Sequence, residues 1–324
     1  AAVAQAEQGG DEAKAQAAEY LVSNHDSDLL FVQLHTTDGP NHQWLAYVTP
    51  ESRRYKPEAA EFYWGLFKRN YQLCDRMIAR IMDACAGPDT VVAIVSDHGA
   101  VHTDRVVWTA GALMREGLMA YKATDRPGVY EIDETRSKVR PTNVNYVWVN
   151  LQGREEGGIV APGAEYEEVC DRIIRTLYAL RDPETGVCPV AMAVRREDAG
   201  QLGQYGDRVG DVVYYMKPGY TDYPCGNKVL DLNTYGFADP IEFLMRGGFA
   251  EARVHAGLHH SSLPYARSSV ASNRAIFSAL GPGVRQGARV DHVNLVDVTP
   301  TLCHLIGIDP PAQSEGRIVP DVLG

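Results

Sequence analysis

The sequence predicts an α/β fold: a mostly parallel central sheet flanked by helices, with an inserted cap region. Three observations carry that expectation. Val91–Ser96 is a short run, five of its six residues apolar and three of them valine, closed by polar or turn-forming residues. Such a β-branched run reads as a buried strand of a parallel sheet. Asp28–His35 (DLLFVQLH) is a second run of the same kind. Between them Pro57–Ala86 repeats apolar residues at helical spacing (Phe62, Leu66, Tyr71 or Phe67, Cys74, Ile78, Ile81, Met82). Strand, helix and strand with short connections make a βαβ-type unit.

Composition bounds the function classes. The 324 residues are 45% hydrophobic and 23% charged, ordinary for a globular chain. A net charge of −11 argues against a nucleic-acid surface built on bulk positive charge. Six scattered cysteines, Cys74, Cys85, Cys170, Cys188, Cys225 and Cys303, form no C-x-x-C pair, so free thiols are expected. No apolar run is long enough to predict a transmembrane segment.

The chain opens AAVAQAEQGGDEAKAQAAEYL, without an initiator Met or a signal-peptide pattern. Asp11–Val22 reads as a helix leading straight into the first apolar run. An α/β domain does not ordinarily start so, and an upstream segment, or a second chain of the same protein, is expected. No compartment is assigned, and homo-oligomerisation is left open.

In chain order, the first apolar run ends in Thr36, Thr37, Asp38, Gly39, Pro40, Asn41 and His42. Gly-Pro marks a loop. Asp38 and His42, four apart, can face inward together from a tight loop or a helical turn; a plain Asp-Gly-Pro turn is the alternative. The second run ends in Asp97, His98 and Gly99. Beyond the carboxyl ends of strands is where open α/β sheets bind ligands. A surface strand-end turn is the alternative there. Val101–Arg105 reads as a loop, and Val107–Gly117 as a helix with Gly117 as its cap.

From about Tyr121 to Arg253 the texture changes. Strands are expected at Asn145–Leu151, Val190–Arg195 and Asp211–Met216, a helix at Tyr166–Leu180, and a short helix from Glu197. The division that follows is a core part at 1–120, an inserted cap or substrate region at 121–253, and a return to the core at 254–324. Val254–Ser262 (VHAGLHHSS) holds three of the ten histidines. A strand at Asn273–Leu280, a Gly-rich turn and an apolar helix at Val296–Ile306, ended by Gly307 and then Pro310 and Pro311, complete the chain.

Asp38/His42, Asp97/His98 and His255/His259/His260 are thus three Asp/His clusters in loops or after strands. Mixed carboxylate and imidazole donors suit Zn²⁺, and also Mn²⁺ or Fe²⁺. Five or six such donors match two metal ions, which can clamp both oxygens of an in-line phosphoryl transfer.

The ordered motifs Asp38-Gly-Pro-Asn-His42, Ser96-Asp97-His98-Gly99, Gly257-Leu258-His259, Asp297-Val-Thr-Pro-Thr-Leu-Cys-His-Leu-Ile-Gly-Ile308 and Gly316-Arg317 resemble the alkaline phosphatase superfamily. More narrowly, they resemble its type I phosphodiesterase/nucleotide pyrophosphatase branch. The resemblance runs from about Tyr20 to the carboxyl end, and in the middle region matches only in texture. It implies an alkaline-phosphatase-like sandwich, with Asp38, His42 and His259 holding one metal and Asp97 and His98 helping to hold a second. The family has Gly after the late His; here His260 stands, which leaves His259 favoured over it but not alone.

In the family, an Asp on the first strand and a Thr or Ser nucleophile complete the second metal's shell. No matching residues stand in this sequence. Thr36 and Thr37 are on the wrong strand, Ser261 and Ser262 come in the wrong order, and no cysteine has a sulfatase setting. The nucleophile is therefore left unassigned. The expected activity is metal-dependent hydrolysis of phosphoric ester or phosphoanhydride bonds in a small phosphorylated substrate. Arg105, Lys228 and Arg267 are its candidate substrate-binding cations. A non-catalytic subunit and a phosphomutase or phosphotransferase of the same superfamily are the alternatives.

Overall fold

The computed structural model describes the chain except residues 1, 26, 143–144, 223–228, 232, 234–247, 253–254 and 260–273. The elements begin with α1 (Ala2–Asn24), α2 (Asp38–Val48), α3 (Pro57–Cys85), β1 (Val92–Val95), β2 (Val101–Val107) and α4 (Thr109–Arg115). Then come β3 (Tyr121–Ala123), β4 (Val129–Ile132), β5 (Val139–Pro141), β6 (Tyr146–Val149), α5 (Ala164–Ala179), β7 (Val190–Arg195) and α6 (Arg196–Ala199). β8 (Val212–Met216), β9 (Gly219–Asp222), β10 (Val229–Asp231), β11 (Phe249–Glu251), β12 (Gly257–Leu258), β13 (Phe277–Leu280) and α7 (Leu295–Leu305) follow. Contacts divide them into two units. The first holds Ala1–Trp44, Pro57–Gly99 and Asn273–Gly324, the second Leu45–Lys56 and Ala100–Ser272.

In the first unit α1 packs along α3. Arg80 of α3 donates from Nε to Glu19 at 3.0 Å, and the Cys85 thiol lies against the Ala18 carbonyl. The buried face of α3 is Ala60, Phe67, Asn70 and Met77, spaced three and seven apart. That face is rotated from the one the apolar pattern predicts, and Phe62 and Tyr71 stand largely exposed. Phe67 is the inward aromatic; Trp44 and Trp64 both pack on its ring.

Two strand expectations change here. Residues 29–35 alternate between exposed and half-buried, with Leu29 and Phe31 outward, yet form no ladder among the described residues. The alternation is that of a strand, but a strand is defined by main-chain pairing with a neighbour. β1 pairs antiparallel with β13, Val92 opposite Leu280 and Val95 opposite Phe277. β1 is only half-buried, and Val95 is exposed.

The C-terminal motif is explained by packing. Asn294 caps α7 in a capping box with Asp297. Buried Asp297 then accepts the Arg317 N–H at 2.9 Å, and the Thr301 hydroxyl accepts the Val319 N–H at 3.0 Å. Pro300 cannot donate to the Val296 carbonyl one turn back, and Gly316 passes so close to that carbonyl that a Cβ would overlap it. The Asp, Thr, Pro and Gly-Arg of the motif thus tie the tail across the helix.

In the second unit β2 is buried at every residue and lies between β11 and β12, with β9 alongside. The loop expected at Val101–Arg105 is therefore a core strand; its polar letters (His102, Thr103, Asp104, Arg105) hid the period. A second sheet runs β5–β6–β8–β7 and a third β10–β4–β3. α5 lays Val169, Cys170, Ile173 and Leu177 into the core, beside Val147 and Tyr214. α4 ends at Gly117 (φ 68°), where Gly117 N–H reaches the Met114 carbonyl and Leu118 N–H the Leu113 carbonyl. That is a Schellman cap, and its left-handed residue favours glycine.

The remaining sequence-predicted helices and strands of this unit stand within a few residues of their expected bounds. The α/β class holds. The parallel order holds only in part: β2/β9 is a parallel pair, and the other described ladders are antiparallel. Cys74, Cys85, Cys170, Cys188 and Cys303 are free thiols; Cys225 lies outside the described residues.

Candidate metal centre

The Asp-Gly-Pro-Asn-His stretch folds as the first turn of α2 rather than as a simple turn. Pro40 suits a helix start, where a missing N–H costs nothing, and Asp38 favours the positive end of the helix. Residues four apart share a helix face, so the i and i+4 side chains meet: His42 Nε2 lies 3.3 Å from Asp38 Oδ2. Asp38 is also held from below, its N–H bonded to the His35 carbonyl at 3.0 Å and Asn41 Nδ2 bonded to the Thr37 carbonyl at 2.8 Å.

The second pair follows β1. Asp97 Oδ1 accepts the His98 N–H at 3.1 Å, and His98 Nε2 is 3.5 Å from Asp97 Oδ2. His98 Nδ1 faces the Gly99 carbonyl at 2.9 Å. A carbonyl only accepts, so Nδ1 carries the proton in this bond, which leaves Nε2 as the ring atom for a metal. Fixing the tautomer through the other nitrogen is how proteins ready a histidine for a metal.

One member of each pair meets the other within the first unit: a carboxylate oxygen of Asp38 and a ring nitrogen of His98 lie within 4.8 Å. The donor chemistry fits a divalent ion. Two donors about 2.0–2.1 Å from a tetrahedral zinc stand roughly 3.3 Å apart, which is the Asp38–His42 spacing. All four side chains reach solvent, Asp97 most openly, so a ligand could enter without unfolding the core.

The other sequence candidates are placed as follows. His259, half-buried, follows β12 in the second unit, where Leu258 pairs with Val101. His260, Lys228 and Arg267 lie outside the described residues, as do Ser261 and Ser262. Arg105 is buried, its guanidinium bonded to Glu184 and, at 3.2 Å, to Asp182. Arg53 also donates to Glu184, at 2.6 Å. Burial opposes the Asp182 charge, but its hydrogen bonds from the Glu184 N–H and Tyr220, with Arg105 and Arg53 nearby, hold its pKa below the usual value.

Thr36 is buried and its hydroxyl is donated to Asp11 at 2.6 Å. Asp11 belongs to none of the sequence motifs. Its signal was an acidic residue on one helix face with Ala15 and Ala18, both buried.

The type I phosphodiesterase/nucleotide pyrophosphatase family model matches residues 4–233, well over half of the chain. The chain belongs to this family. Its fold is similar to that of two solved structures of alkaline phosphatase PafA, a quadruple variant and the wild type. The TM-scores are 0.54 and 0.52, each at 15% identity. Each likeness covers 98% of this chain and 53% of the other, so this phosphodiesterase-family chain spans about half the length of those structures. At that identity the likeness speaks for the fold alone, and the fold is alkaline-phosphatase-like. None of the curated proteins searched matches the sequence.

Proposed function

We propose that the chain is the metal-holding part of a phosphoric-ester hydrolase of the phosphodiesterase/nucleotide pyrophosphatase type. Asp38, His42 and His259 are its ligands for one divalent ion, and Asp97 and His98 are ligands for a second. Zn²⁺ suits the carboxylate and imidazole donors; Mn²⁺ and Fe²⁺ share the preference. The observation that carries this reading is the convergence of the Asp38 carboxylate on the His98 imidazole, whose Nδ1 is engaged by the Gly99 carbonyl so that Nε2 is the ring atom left for an ion.

When bound, the ions would supply charge against the phosphoryl oxygens and lower the pKa of a hydroxyl or water. The chain's own residues do the rest. α2 holds Asp38 and His42, the loop after β1 holds Asp97 and His98, and Gly99 sets the His98 ring. The nucleophilic hydroxyl and a further carboxylate come from a segment outside these residues. The region from Tyr121 to Arg253 shapes substrate selectivity.

Metal content and hydrolysis of bis-p-nitrophenyl phosphate test this reading on the chain joined to its upstream segment. Asp97→Ala is expected to lower both; an unchanged metal content with unchanged hydrolysis would overturn the proposal. Bound metal without hydrolysis would favour the non-catalytic reading. Turnover only with an added acceptor would favour the phosphotransferase.

A further inference from the structure

We propose that Asp11 is a positioning residue for the metal ligand Asp38, acting through Thr36. The inference rests on the metal-site reading above and adds to it a residue from outside the motifs. Asp11 is 1% exposed in the middle of α1. Its Oδ2 accepts both the Thr36 N–H and the Thr36 hydroxyl, each at 2.6 Å. Its Oδ1 accepts Lys14 Nζ at 2.9 Å, and Lys14 Nζ donates in turn to the Gln33 carbonyl at 2.9 Å. Helix α1 thus grips the segment before α2 at Gln33 and Thr36. Two residues beyond Thr36, the Asp38 N–H closes on the His35 carbonyl and α2 starts.

A buried carboxylate is a costly way to fill a helix face whose neighbours there are alanines. An apolar residue would pack with no desolvation cost. What the carboxylate adds is direction. Two short bonds to one residue fix the backbone and side chain of Thr36 together, and Asp38 leaves that anchor with little freedom. Ligands held in this way bind metal more tightly, since the ordering is already done in the folded chain; loss of such support costs about 10–100-fold in affinity. Thr36 is two residues from the ligand, so the lower end, about tenfold, is expected.

The test is zinc affinity by competition with a chromophoric chelator, together with the visible spectrum of the Co²⁺ form, on the full chain. Thr36→Val keeps shape and removes the hydroxyl; Thr36→Ser keeps the hydroxyl. Thr36→Val is expected to weaken zinc about tenfold and to alter the Co²⁺ bands, with Thr36→Ser close to the parent on both. Asp11→Asn, whose amide sets a donor against either Thr36 or Lys14, is expected to fall between and is read by the same criteria should Thr36→Val not fold. Parent-like affinity and spectrum in both Thr36→Val and Asp11→Asn would overturn the proposal, as would equal losses in Thr36→Val and Thr36→Ser. A parent chain that binds neither metal would overturn the metal-site reading itself, and this inference with it.

Discussion

Asp211→Asn is expected to destabilise the second unit by about 3 kcal/mol at neutral pH, the lower end of what breaking a buried ion pair costs. Asp211 is wholly buried and accepts five bonds. They come from the Val149 N–H (2.6 Å), Tyr166 Oη (3.0 Å), Arg154 Nη1 and Nη2 (2.7 and 2.6 Å) and Arg196 Nη2 (2.8 Å). The same two guanidinium groups lie over Trp148, at 5.2 and 5.1 Å from its ring. An asparagine keeps the shape, but it loses the charge and turns two N–H donors toward groups that also donate. The arginines are 29% and 27% exposed and keep part of their hydration, which is why the lower end applies.

The pH dependence gives a second handle on the same residue. Burial alone would raise the Asp211 pKa; hydrogen bonds from Arg154 and Val149 and the charges of Arg154 and Arg196 lower it overall. A carboxylate with a depressed folded pKa stabilises above its unfolded pKa, and that stability is lost as pH falls through the folded value. The gap between parent and variant is thus full at pH 7 and narrows below about pH 4. Urea unfolding followed by tryptophan fluorescence and circular dichroism measures it. For a unit of this size the gap corresponds to roughly 6–12 °C in Tm. A variant within about 1 kcal/mol of the parent at pH 7 would refute the reasoning, because a mere surface pair gives that much.

Further outcomes follow from the other clusters. Asp38→Ala and His98→Ala are each expected to weaken zinc at least about tenfold in calorimetric titration, and parent-like binding in both would remove the first unit from the metal site. Arg105→Ala leaves the buried Asp182 short of a cation and should lower stability by about 2–4 kcal/mol; differential scanning calorimetry decides, and a neutral result would show that Arg53 suffices. Gly316→Ala should cost more than about 2 kcal/mol, as overpacking against a main-chain carbonyl does, because its Cβ would overlap the Val296 carbonyl. Unchanged urea unfolding would show that the tail is free to move off α7.

The motifs were legible in the sequence because each depends on local spacing. Asp38 and His42 meet because a helix repeats every three to four residues, and Asp97 and His98 meet because they are neighbours. Gly117 and Gly307 were legible for a similar reason, since both take φ values that favour glycine. The sequence could not tell which side of α3 faces inward, since Phe62, Phe67 and Tyr71 are all large aromatics and only packing against Trp44 marks Phe67 as the inward one.

Nor could it show that the polar run after His98 is a core strand. His102, Thr103, Asp104 and Arg105 are buried there because Ser52, Glu184 and Asp182 meet two of them, and those partners lie 52 to 79 residues away.

By itself the sequence determined the α/β class, the order of the ligand motifs and the residue types that suit a divalent ion. Only the tertiary structure decided that Asp38 and His98 come within 4.8 Å, that Asp11 grips Thr36 across 25 residues, and that Arg105 is bonded to carboxylates. The physical reason is range. Helical and strand periods act over a few residues and are written in local order, whereas a buried charge is tolerated only where distant partners arrive to satisfy it.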